Sequence, residues 1–114
     1  MTSAVAYKVL TDAQMKALET GAFAGAPIDL ADGYIHLSTA DQLTETVDKH
    51  FAGQADLWVA AVDLTAQDDV QWEKSRGDAL FPHLYGGPLL LETVIAYGPL
   101  EREADGQIRL PVAG

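Results

Sequence analysis

Apolar and polar residues alternate over residues 4–10, so that Val5, Tyr7 and Val9 share one side of an extended chain and Ala6, Lys8 and Leu10 the other. This predicts a first strand. Thr11-Asp12-Ala13-Gln14 then has the form of a capping box, and Met15, Leu18 and Ala22 follow at helical spacing, which predicts a helix stopped near Gly21. Phe23 to Ala31 contains Gly25 and Pro27 without a sustained period, and reads as a loop leading into an Asp32-Gly33 turn. From Tyr34 to Ser38 the alternation returns, with Ile35 and Leu37 on one face and Tyr34, His36 and Ser38 on the other. Thr39 and Gln42 form a second capping box, opening a helix from about Ala40 to Phe51 on which Leu43, Val47 and Phe51 recur every fourth residue; Gly53 ends it.

Leu57 to Leu64 is apolar on both faces, the pattern of a strand inside a sheet, which the two capped helices should cover. Val70 to Glu73 is short and alternating. Ser75 to Gly87 carries glycines and Pro82, which predict an irregular loop, yet Leu80, Phe81, Leu84 and Tyr85 require that loop to fold back onto the body. Pro88 to Thr93 suits a helical turn and Val94 to Tyr97 a strand. The Asp105-Gly106 pair predicts a two-residue hairpin turn, a register that would set Arg102 opposite Arg109.

Composition narrows what such a chain can do. At 114 residues it is expected to form one domain, 1–114, large enough to bury a core without staples; having no cysteine, it has neither disulfides nor thiolate chemistry. Seventeen acidic residues against seven Lys and Arg give a net charge of −10, which opposes binding to long nucleic acids. No apolar run approaches the length of a membrane span, so a cytoplasmic location and a small-molecule partner are expected, with no membrane partner.

Two segments carry candidate chemistry. Ile35-His36-Leu37-Ser38 and Phe81-Pro82-His83-Leu84-Tyr85 each set an imidazole beside apolar residues that hold it near the core. One such histidine is ordinarily satisfied by backbone. Two of them, with Glu73 and Arg76 shortly before His83, point to a shared cleft with the folded-back loop as one wall. His36, Glu73 and His83 are therefore the candidate catalytic groups, and Ser38, Thr39, Arg76 and Tyr85 the candidate ligand-binding ones. Ser38 and Thr39 are chosen because the polar strand face ends at a helix N-terminus, whose free N–H groups suit an anion. No Gly-x-Ser-x-Gly, His-Glu-x-x-His or glycine-rich phosphate loop is present, so a hydrolase elbow, a zinc site and a nucleotide P-loop have no support, and no metal is expected.

The run Asp32-Gly33-Tyr34-Ile35-His36-Leu37-Ser38-Thr39, then Gln42, then Phe81-Pro82-His83-Leu84-Tyr85-Gly86, is similar to small bacterial proteins classed as domain of unknown function 952. That resemblance implies an α+β, ADP-ribosyltransferase-like fold in which a split, bent β-sheet flanked by helices forms a nicotinamide-dinucleotide cleft. It implies no established activity. Ile35-His36-Leu37-Ser38 also resembles the Val-His-Leu-Ser motif of RNA 2′-phosphotransferases, but Tyr7-Lys8-Val9-Leu10 lacks the histidine and glycine those enzymes have there. Their arginine set is also largely unmatched by Arg76, Arg102 and Arg109. The expected function is a transferase-like enzyme acting on a nicotinamide dinucleotide (NAD) or a related phosphate-bearing small molecule. The alternative is a non-catalytic small-molecule binding or interaction domain on the same scaffold.

Overall fold

A computed structural model describes residues 4–76 and 78–111, with Ser75 and Arg76 described in backbone alone. The chain is an α+β fold of three α-helices and several antiparallel sheets among the described residues. Strand β1 (Val5–Thr11) runs into helix α1 (Asp12–Glu19) through the capping box. Thr11 Oγ1 accepts from the Gln14 N–H at 3.2 Å, and Gln14 Oε1 accepts from the Thr11 N–H at 2.9 Å. Helix α3 (Ala40–His50) starts with one half of such a box: Gln42 Oε1 accepts from the Thr39 N–H at 3.0 Å, while the Gln42 N–H donates to the Thr39 carbonyl at 3.1 Å.

Strand β4 (Leu57–Asp63) lies between β1 and β8 (Val94–Pro99), so its backbone is paired along both edges and its apolar residues point to the two faces of the sheet. Helix α1 packs Met15 and Leu18 with Ala6, Leu10, Ala60 and Val62, whereas α3 packs Leu43 and Val47 with Val9, Leu57 and Val59. The two helices thus close opposite faces of one sheet. Burying each large side chain contributes about 1.5–3 kcal/mol, which is what holds helices of eight and eleven residues in place. Among the described residues no helix is long and apolar enough to cross a membrane.

A second three-stranded sheet orders β3 (Ile35–His36), β6 (Ala79–Leu84) and β5 (Val70–Arg76). It meets the first where the chain leaves β3: the Tyr7 N–H donates to the Ser38 carbonyl at 2.7 Å and the Ser38 N–H to the Tyr7 carbonyl at 2.9 Å. Strands β2 (Ala22–Phe23) and β7 (Leu89–Leu90) pair separately.

Three expectations are corrected. Phe23 to Ala31 is not a plain loop: β2 ends in it, and Pro27 begins helix α2 (Pro27–Asp32), because proline suits a first helical position. Gly33 caps that helix at φ +87°, a conformation glycine adopts without strain. Nor is Ser75 to Gly87 an irregular wall, since β6 occupies its middle and Pro82 sits in the central strand. A residue's N–H and C=O point to the same edge. The Pro82 carbonyl accepts from the Leu37 N–H at 3.1 Å, so the donor that proline lacks falls on that edge and leaves its carbonyl bonded there. In the terminal hairpin, Arg102 pairs with Ile108 rather than Arg109. Ala104, Asp105 and Gly106 form the loop, Gly106 taking φ +90°, and this shift by one residue sets the Arg109 N–H on the Glu101 carbonyl at 2.8 Å.

Candidate functional site

Strand register alone assembles the central group. His36 lies directly opposite His83, and Gln71 opposes His83 from the other side, which places Glu73 diagonally across β5 and β6 on the same face. Ile35, Leu37 and Leu84 project to the opposite face and join the main core. The second sheet is thus apolar on one face and carries imidazoles, a carboxylate and phenols on the other.

These side chains touch. The His36 and His83 ring centroids are 5.2 Å apart, and Tyr34 lies 4.2 Å from His83 in a stacked arrangement, 4.6 Å from His36 and 5.0 Å from Tyr85. Glu73 Oε1 accepts from the Tyr85 hydroxyl at 2.6 Å and lies 2.8 Å from His83 Nδ1. Those bonds hold the Glu73 carboxyl below its ordinary range, Tyr85 contributing most and His83 next. The same bond, then burial and nearby negative charge, push the Tyr85 phenol up to about 12. Tyr34 is raised too, first by burial and then by the charges of Asp32 and Glu73. An ionised Glu73 can only accept, so Nδ1 of His83 carries the hydrogen. The other nitrogen, Nε2, is buried and has no hydrogen-bond partner among the described residues.

Behind His36 stands an ion pair that was not among the expected site residues. Lys8, on the inward side of β1, reaches Asp29 of α2 at 2.9 Å, and both side chains are buried. Asp29 Oδ1 lies 2.7 Å from His36 Nδ1 and also accepts from the His36 N–H at 3.1 Å, while Oδ2 accepts from the Ala26 N–H at 2.8 Å. Lys8 also donates to the His36 carbonyl at 3.0 Å. Burial works to raise the Asp29 carboxyl, but the His36 bond, the Lys8 charge and the Ala26 N–H outweigh it and bring it to about 2. His36 Nε2 faces Asp32 at 3.1 Å, so the ring is clamped between two carboxylates. Two signals in the sequence pointed here: a lysine on the apolar side of a strand needs a buried partner, and Pro27 two residues before an acid is a helix start.

Four of the expected site residues come together: His36, Glu73, His83 and Tyr85. Ser38 is buried, with its hydroxyl 2.8 Å from that of Thr46 on α3, and Thr39 caps that helix. Among the described residues no ring contact or hydrogen bond joins either to the cluster. Arg76 pairs through its backbone with Ala79, and its side chain lies outside the described residues. Tyr34 makes a ring contact with His36, His83 and Tyr85 and was not expected as a site residue. A hollow of about 300 Å³, lined by Ala24, Leu30, Gly33, Leu84, Gly86 and Pro88, adjoins Asp29. Among the described residues no group of three or more acids and histidines could hold a metal.

Residues 9–97, which contain the whole ring cluster, match the family described as protein of unknown function (DUF952). The chain is a DUF952 protein. It is similar to protein CC0527 from Caulobacter crescentus, whose crystal structure shares 45% sequence identity at a TM-score of 0.81, covering 93% of this chain and 94% of that one. The solution NMR structure of CC0527 agrees, at 44% identity and a TM-score of 0.76, covering 93% of this chain and 91% of that one. No curated protein matches this DUF952 chain.

Proposed function

We propose that this DUF952 protein is a transferase-like enzyme with an ADP-ribosyltransferase-like architecture, acting on a nicotinamide dinucleotide or a related phosphate-bearing small molecule at the ring cluster. The observation that carries this reading is the convergence of His36, His83, Glu73 and Tyr85 on one face of the second sheet. Glu73, held ionised by Tyr85 and His83 and with a side chain 42% exposed, is placed to stabilise positive charge developing on a ribosyl carbon or to act as base. His36, clamped by Asp29 and Asp32, orients the ligand. In this reading Thr39 and Arg76 serve the phosphates, with the start of α3 as a further source of positive potential, while Ser38 stays buried against Thr46.

The test is turnover of nicotinamide adenine dinucleotide, read as released nicotinamide. The expected result is measurable release that falls by about 100-fold or more in Glu73→Gln, the scale of a lost acid–base or charge-stabilising group. Saturable dinucleotide binding without any release would establish the second reading, a non-catalytic binding domain. That reading is favoured by the side-chain hydrogen bonds that already engage Glu73 with Tyr85 and His83.

A further inference from the structure

We infer that the ring cluster is a site for a small organic cation whose charge sits on a permanently charged nitrogen. This goes beyond the dinucleotide reading and stands without it. Three observations on different groups carry it. The first is the aromatic surface: Tyr34 stacks on His83 at 4.2 Å, lies 4.6 Å from His36 and 5.0 Å from Tyr85, and both phenols are half-buried. A half-buried tyrosine presents a negative π-face on which a cation gains and an anion loses.

The second is the sign of the rim. Asp32 and Glu73, with side chains 44% and 42% exposed, act on Tyr34, and Asp69 acts on Tyr85. Lys8, by contrast, is buried and already neutralised by Asp29. At the rings a cation therefore meets carboxylates and phenol faces, and the net charge of −10 speeds its approach.

The third is His83 Nε2, buried with no hydrogen-bond partner among the described residues on a ring whose other nitrogen is tied to Glu73. A buried acceptor left unpaired inside a ring cluster suits a ligand that also bears an N–H or O–H donor. A free hydroxyalkyl quaternary ammonium and the pyridinium end of an oxidised dinucleotide share this chemistry.

The experiment uses charge-isosteric probes on the whole protein. Choline is compared with 3,3-dimethylbutan-1-ol, and 1-methylnicotinamide cation with neutral nicotinamide, by calorimetry at low and high salt. We expect at least one cation to bind about ten-fold or more tightly than its neutral counterpart, with the preference shrinking as salt rises. Tight binding of choline identifies a quaternary ammonium source, and tight binding of 1-methylnicotinamide alone identifies a pyridinium. Tyr34→Leu, which keeps apolar area but removes the π-face, and Glu73→Gln should each abolish most of the preference. Equal affinities within both pairs on the unmodified protein would overturn the inference, as would a preference untouched by either variant. Cation preference without dinucleotide turnover would refute the enzyme reading alone; turnover without cation preference would refute this one alone.

Discussion

Lys8 Nζ and Asp29 Oδ2 lie 2.9 Å apart with both side chains buried, and this pair ties β1 and α2 to the backbone and ring of His36. Breaking a buried pair from one side leaves an uncompensated charge. Lys8→Met or Asp29→Leu alone should therefore destabilise the protein by about 3–5 kcal/mol, while the double variant should lose much less than the sum. Urea denaturation of the three proteins checks this. Additive losses would show that the two residues act separately.

Asp29 also sets an acid limit on stability. Its carboxyl moves from an ordinary 3.8 to about 2 in the folded protein, so the folded state binds this proton less readily than the unfolded one. A depressed carboxylate contributes stability present above the unfolded value and lost as pH falls through the folded one, here from near 3.8 down to about 2. At roughly 1.36 kcal/mol per pH unit the contribution is about 2 kcal/mol. Asp29→Asn should lose that part of the acid dependence, which denaturant titration at pH 6, 4 and 2.5 would read.

Much of this arrangement was legible in the sequence, and the reasons for the remainder are physical. The alternation from Tyr34 to Leu37 fixed which side chains face the core, and two capping boxes located both long helices. Strand β6 was hidden because Pro82 and the flanking glycines have poor strand propensity, which pairing to β3 and β5 overrides. The Lys8–Asp29 pair joins residues twenty-one apart and has no local signature beyond a charge on an apolar strand face. The hairpin register turned on Gly106, whose left-handed conformation closes a longer loop than its Asp-Gly pair suggested.

Tyr85→Phe should raise the Glu73 titration midpoint, because the phenol hydrogen bond is the largest influence holding that carboxyl down. Carbon-13 detection of the Glu73 side chain would follow it. In the unmodified protein the Tyr85 phenol should resist ionisation until about pH 12, which its ultraviolet absorbance reports.

Hydrogen exchange should rank the sheet. Amides of Val59 to Val62, paired within the interior strand, should open only near the global unfolding free energy, while Gln107 to Leu110 at the terminal hairpin exchange sooner. Equal exchange rates would contradict the layering described above. Arg102→Ala, which removes an exposed ion pair to Asp48, should cost no more than about 1 kcal/mol and leave ligand binding unchanged.

Binding at the ring cluster is read most directly by a titration of the protein with nicotinamide adenine dinucleotide, followed through the imidazole resonances of His36 and His83 and the rings of Tyr34 and Tyr85. A dinucleotide bound there gives saturable shifts at all four rings, with Ile108 and Leu110 unmoved. Shifts confined to the hollow formed by Val59, Tyr97, Pro99 and Leu110, with the four rings silent, would contradict it.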